Sequence, residues 1–259
     1  DAFVMGAKYA IGVGAAAATV GVIVGVVTLT GVGFKLSDVI TTSSASLAAS
    51  IGTFMPDWAF SQVGMTLFFT LCLTAIVCIL LGCGVPTTPT YIIMVTIAQP
   101  ALGKLGIEPI VSHFFVFYYG VLADVTPPVA LAAYAGASMA GADPFKTGNT
   151  AFRLAMAKVL VPFVFVYSPA MLLVTKNFTW LAFFETTIGC MVGIVMLAAA
   201  LTGFAIGLLA KWERWVLGIA SILVIAPSRT ATLAGLVLAL PIVLRQFAVW
   251  RANRQATAA

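Results

Sequence analysis

The chain has 259 residues, of which 62% are hydrophobic and only 8% charged, and its mean hydropathy is +1.12. An ordinary soluble domain carries roughly 25% charged residues, because these form most of its surface; a soluble enzyme, a nucleic-acid-binding module and a disordered segment are therefore excluded. The formal charge of +5 does not signal a polyanionic partner, since the basic residues stand singly or in small groups at the ends of apolar runs, where they orient a membrane protein.

The sequence opens at Asp1 without a methionine or signal peptide and reads as the later part of a longer polypeptide. No charge lies between Lys8 and Lys35. A bilayer core needs about 20 apolar residues as helix, so residues 9–34 are the first expected span, with Gly12, Gly14, Gly21 and Gly25 suited to close helix packing. Residues 36–53 carry Ser37, Asp38, Thr41, Thr42, Ser43, Ser44, Ser46 and Ser50. That is too polar to span and predicts an interfacial helix or arm, capped by Ser37 or Asp38. Pro56, Asp57 and Trp58 mark the membrane surface.

Two interrupted units follow. Residues 63–81 are apolar and run into Gly82-Cys83-Gly84-Val85-Pro86-Thr87-Thr88-Pro89-Thr90, after which a shorter apolar piece, 91–102, closes a hairpin. Beyond a linker, residues 110–123 lead into Asp124-Val125-Thr126-Pro127-Pro128 and resume over 129–140. The rest reads more simply: a polar connection at 141–158, a span at 159–174 that Pro162 and Pro169 can bend, an aromatic interfacial lead-in at 178–185, a span at 186–210, and two shorter runs at 215–226 and 230–244.

If 63–102 is a re-entrant hairpin and 110–140 crosses fully, Lys8, Lys146, Arg153, Lys158, Lys211, Arg214, Arg245, Arg251 and Arg254 share one side, and Lys35, Lys104, Lys176 and Arg229 the other. The richer side is expected to be cytoplasmic, together with the C-terminus; the alternative makes 63–81 a full span and reverses everything before it, and the hairpin is favoured because its polar centre needs protection from lipid.

The two interruptions carry the chemistry. Proline lacks the amide donor and glycine weakens a helix, and an unpaired backbone group in hydrocarbon costs several kcal/mol. Irregular backbone at depth is tolerated only when buried in protein or lining a wet cavity, and a pair of interruptions points to a midplane site of a secondary transporter. Freed carbonyls and threonine hydroxyls are hard oxygen donors suited to a small cation such as sodium. Helices starting after Pro89 and Pro128 would turn positive dipole ends to an anion. The plainer alternative is two proline kinks satisfied by neighbouring helices. Asp124 favours the functional reading, because an acid near the bilayer centre costs about 2.5 to 3.5 kcal/mol on insertion scales. No basic residue lies near it in sequence, and a bound cation is its expected partner. His113 reads as a hydrogen-bonded packing residue, with a proton relay as the alternative. Cys72, Cys78, Cys83 and Cys190 form no CxxC pair and read as small apolar fillers.

At these residues a family becomes recognisable. Gly82-Cys83-Gly84-Val85-Pro86-Thr87-Thr88-Pro89-Thr90-Tyr91 resembles the Gly-Met-Gly-Leu-Pro-Thr-Thr stretch of fused TRAP (tripartite ATP-independent periplasmic) transporter permeases, of the type joining 4 and 12 spans. The stretch from Gly120 to Ala130, with Asp124-Val125-Thr126-Pro127-Pro128 at its centre, is similar to their second signature. Gly141-Ala142-Asp143-Pro144-Phe145-Lys146-Thr147-Gly148 and Tyr167-Ser168-Pro169-Ala170 also match. The resemblance covers roughly residues 1–173; beyond Thr175 the likeness is only that further spans follow.

The resemblance implies an all-α membrane protein: a multi-span bundle with a re-entrant hairpin and a broken helix, one inverted half of an elevator-type permease. Residues 1–175 would form that half, and 176–259 would add C-terminal helices and a basic cytoplasmic tail. It further implies a sodium-coupled importer of organic anions such as C4-dicarboxylates, with sodium as coupling ion and no other cofactor, and no enzymatic activity. The partners would be a periplasmic substrate-binding protein, the N-terminal half and small-subunit portion of the same permease, and the lipid of a bacterial or archaeal inner membrane. Carried over residue by residue, the hairpin tip maps onto Gly82, Gly84, Pro86, Thr87 and Thr88, and the break onto Thr126, Pro127 and Pro128. Unfused relatives often carry an aspartate where Pro86 stands, and Asp124 reads as that acid moved across the cavity. The sodium ligands expected on this basis are Thr87, Thr88, Asp124 and Thr126. The rival readings are a proton-coupled symporter or antiporter using Asp124 and His113, and a non-transporting membrane scaffold.

Overall fold

The computed structural model describes residues 1–53, 61–83, 87–173, 178–226 and 228–258. Pro56, Asp57, Trp58, Gly84, Pro86 and Lys176 therefore lie outside the described residues. The fold is all-α: among the described residues the sole β feature is an isolated bridge between Phe204 and Leu208. Four helical stretches are long and apolar enough to cross a membrane, Gln62–Gly82, Pro144–Tyr167, Trp180–Thr202 and Arg229–Val249, or five if a bent pair near the start counts as one. The chain divides into two compact units, Asp1–Pro144 and Phe145–Ala259.

The first unit opens with α1 (Ala2–Thr30) and α2 (Val32–Gly52), which meet at Gly31. Gly31 has φ +66°, and the axis turns there by 67°. Glycine takes this left-handed conformation without a Cβ penalty, so the helix ends there rather than at Phe34. Ser37 and Asp38 consequently lie inside α2 and do not cap it, contrary to the sequence expectation. Gly33, Ser37, Ile40, Ser44 and Ala48 are its buried residues, spaced three or four apart on one face. The Ser44 hydroxyl donates to the carbonyl of Ile40 at 2.7 Å, so this polar face satisfies part of itself.

Helix α3 (Gln62–Gly82) is capped by Ser61, whose hydroxyl accepts from the amide of Gly64. Helix α4 (Thr87–Lys104) packs against α1, α2, α3 and most extensively α5 (Pro109–Ala123). Leu71, Met94, Leu102, Phe115 and Tyr119 fill the space between them and are fully buried. Pro100, inside α4, has no amide to offer the carbonyl of Thr96 four residues back. That carbonyl faces α2: a Cβ on Gly33 would sit 3.1 Å from it. Lys104, at the end of α4, forms an exposed ion pair with Asp38 of α2. The unit closes with α6 (Leu131–Ala140).

In the second unit the expected polar connection is itself helical. Helix α7 (Pro144–Ala155) has proline at its first position, and its buried residues Gly148 and Ala155 share one face. A tight 3₁₀ stretch, Met156–Leu160, leads to α8 (Val161–Tyr167). α8 stops at Ser168, because the ring of Pro169 disfavours helical backbone in the residue before it. Helix α9 (Trp180–Thr202) starts six residues before the expected 186 and absorbs most of the aromatic lead-in. It ends at Gly203, φ +75°, so residues 203–210 form a compact turn rather than the last part of a span. Helices α10 (Lys211–Ile225) and α11 (Arg229–Ala258) follow, the latter running well beyond the apolar 230–244. Gly193 on α9 and Gly235 on α11 let both helices close on α10: a Cβ on Gly235 would meet the Ala220 carbonyl at 2.7 Å, and one on Gly193 would meet Ile225.

Candidate functional site

The end of α3, the start of α4 and the second break come together inside the first unit. Gly82, the last residue of α3, is buried against the end of α5, where a Cβ would lie 2.5 Å from that of Ala123 and 3.1 Å from the Thr90 methyl. Only hydrogen fits there. The same Thr90 methyl lies 3.7 Å from where a Cβ on Gly120 would stand. Small residues on α3 and α5 thus bring the first turn of α4 against the last turn of α5.

This approach delivers a polar contact. The hydroxyl of Thr87, the first residue of α4, donates to Oδ2 of Asp124 at 2.5 Å. Asp124 is half-buried at the C-terminal end of α5 and, among the described residues, makes no ion pair with a basic group. Its own carbonyl accepts from the amide of Ala132 at 3.2 Å, bridging the break to α6.

Local bonds hold the break itself. The amides of Val125 and Thr126 return to the carbonyls of Leu122 and Ala123. The Thr126 hydroxyl also donates backwards, to Leu122 O at 2.8 Å. The peptide between Pro127 and Pro128 is cis, and Ala130 takes φ +34° before α6 starts. The Tyr134 hydroxyl donates to the carbonyl of Pro128.

Of the residues singled out from sequence, Gly82, Thr87 and Asp124 are thus brought together. Thr126 is buried with its hydroxyl turned back onto the Leu122 carbonyl of α5, Thr88 and Pro128 are exposed, and Pro127 is half-buried. One feature escapes a sequence reading: Thr90, 1% exposed, sits among the glycines, and its spacing of three from Thr87 is the available signal. His113 is hydrogen-bonded, as expected; its partner is the hydroxyl of Tyr91, 2.6 Å from Nδ1, and the Tyr91 ring lies edge-on to Phe117.

Two apolar segments thus meet through a hydroxyl and a carboxylate, in a chain with four helical stretches long enough to cross a membrane. The sequence profile of one family, described as the tripartite ATP-independent periplasmic transporter, DctM component, matches residues 1–181. The chain belongs to this DctM family. No curated protein and no solved structure matches it. Membership makes it the large permease component of a TRAP secondary transporter, an integral membrane protein of a transport rather than an enzyme family. The matched region takes in α1 to α8 and stops at the beginning of α9, so most of α9 and all of α10 and α11 lie beyond it.

Proposed function

We propose that this permease imports an organic anion of the carboxylate class with sodium, receiving it from a periplasmic binding protein at the inner membrane. The observation that carries the reading is the hydrogen bond between Thr87 and Asp124. A hydroxyl and a carboxylate converging from two interrupted helices are the hard, partly anionic ligand set that a desolvated sodium ion needs. Sodium would in turn offset the cost of a carboxylate held away from bulk water. Gly84, Pro86 and Thr88 complete the tip in this reading, and Thr126, Pro127 and Pro128 shape the opposite wall. The N-termini of α4 and α6 offer a partial positive charge to the substrate carboxylate. Transport then follows from movement of the hairpin-bearing part of the permease against a fixed scaffold. The membrane potential supplies about 2.3 kcal/mol per net positive charge for each 100 mV.

The test is uptake into proteoliposomes holding the complete permease, with its binding protein outside. Labelled carboxylates should accumulate under an inward sodium gradient and stop when choline replaces sodium at constant pH gradient. Uptake that persists in choline and follows the pH gradient would replace this reading with a proton-coupled symporter, which the Tyr91–His113 hydrogen bond, one turn along α4 from Thr87, favours as second choice.

A further inference from the structure

We propose that a groove between α9 and α10, beyond the matched region, binds one anionic phospholipid. The groove has a volume of about 530 Å³. Its walls are Leu197, Leu201, Ile219 and Ile222, and its polar residues, Lys211 and Arg214, both stand at the start of α10. From Lys211 to Ile222 the helix rises roughly 16 Å, at 1.5 Å per residue. That equals the depth of one leaflet, about half of a 30 Å hydrocarbon core. A cleft that is cationic at one end and apolar for one leaflet's depth has the polarity of a single phospholipid.

The details at both ends fit. Gly218 lies midway along the groove, with nothing within 4 Å of where its Cβ would stand, so a chain can lie against the helix backbone. At the mouth, Arg214 donates through Nε to the carbonyl of Ala200 and through Nη2 to that of Leu201, both at 2.8 Å. These bonds fix the guanidinium on the last turn of α9, and Nη1 makes no hydrogen bond among the described residues. A planar fork held in this way is suited to a phosphate. Lys211 has no acidic partner among the described residues. The nearest acid in sequence, Glu213, is 0% exposed and bound to Arg245, so it does not neutralise the mouth. Trp215, 77% exposed, places an indole at the rim, where such rings settle at the headgroup level. A second groove in the same unit, along α9 and α11, differs in the respect that matters: its cation, Arg229, is already paired with Glu185.

Native mass spectrometry of the complete protein in detergent tests this, with phosphatidylglycerol and phosphatidylcholine of identical acyl chains as probes. The wild type should prefer phosphatidylglycerol, and Lys211→Gln should weaken its binding about fivefold while leaving phosphatidylcholine unchanged. Gly218→Leu, which keeps every charge and blocks the groove, should weaken both lipids. Arg214 is left intact because it also holds the end of α9. Equal binding of the two lipids by the wild type, or lipid binding indifferent to both variants, overturns the proposal. Loss of self-association in Gly218→Leu without change in lipid binding also overturns it and assigns the groove to a second copy of the chain.

Discussion

Thr87 and Asp124 lie 37 residues apart, and their side chains meet at 2.5 Å, tying the start of one interrupted helix to the end of another. The bond uses the only proton of the hydroxyl and one oxygen of the carboxylate. Among the described residues it leaves the second carboxylate oxygen and the hydroxyl lone pairs as open ligand positions.

If these positions hold the coupling ion, the two residues act as a unit. Thr87→Val, which keeps shape and removes the ligand, should raise the sodium concentration for half-maximal uptake about tenfold, the equivalent of one hydrogen bond to a charged group. Asp124→Asn should abolish sodium-driven uptake, and adding Thr87→Val to it should change nothing further. Sodium titration of uptake decides the matter: an unshifted half-saturation in Thr87→Val removes it from the site, and normal coupling in Asp124→Asn reduces the acid to a water-facing group.

The Gly82–Ala123 approach makes a claim about packing alone. Gly82→Ala places two methyl carbons 2.5 Å apart on helix backbones, an overpacking that costs about 1–3 kcal/mol. Its thermal midpoint in detergent should fall, and Ala123→Gly in the same chain should restore most of it. Gly136→Ala in α6, where a Cβ meets nothing within 4 Å, is the control and should be neutral or slightly stabilising.

Glu213 offers a third test. Its Oε2 accepts from Arg245 at 2.6 Å and from the amide of Ala210 at 2.8 Å, joining α11 and the 203–210 turn to the first turn of α10. Arg245→Met leaves a buried carboxylate without its cation and should cost about 3–5 kcal/mol. The pair Glu213→Leu with Arg245→Met should cost clearly less than Arg245→Met alone. Chemical-denaturation midpoints in detergent compare them; a single variant as stable as the wild type would show that the carboxylate is hydrated.

Orientation can be read separately. In the second unit, Lys211, Arg214 and Arg245 share one end, whereas Arg229 at the other is neutralised by Glu185. In the first, the ion pair of Lys104 with Asp38 places Lys104 at the end of α2 that carries Lys35. Lys211 and Arg214, unlike Arg245 and Arg229, have no acidic partner among the described residues, and on this ground the Arg245 end is expected to face the cytoplasm. Alkaline phosphatase fused after Ala259 should be inactive and green fluorescent protein there should fluoresce; the opposite pair of results inverts the topology.

How legible this was from sequence depends on what each feature is made of. Runs of apolar residues are long and self-evident, so the existence and order of α1, α3, α5, α9 and α11 follow from composition. Gly31 looks like the other glycines of its neighbourhood, and nothing local marks it as the one with positive φ; the turn was therefore misplaced by three residues. Lys146, Asn149 and Arg153 make α7 read as a connection, although they occupy one side of a helix whose other side holds Gly148 and Ala155. Both site motifs announce themselves through proline and threonine. Their meeting does not, because it is decided by Gly82, Thr90, Gly120 and Ala123, small residues whose type says that something comes close without saying what.

The carbonyl of Thr96 links two positions that lie far apart in sequence. Proline at 100 has no amide to offer it, and the same oxygen lies 3.1 Å from where a side chain at 33 would begin. Alanine at 33 therefore needs this carbonyl to give by a few tenths of an ångström, so what position 33 tolerates depends on how far α4 yields beside its proline.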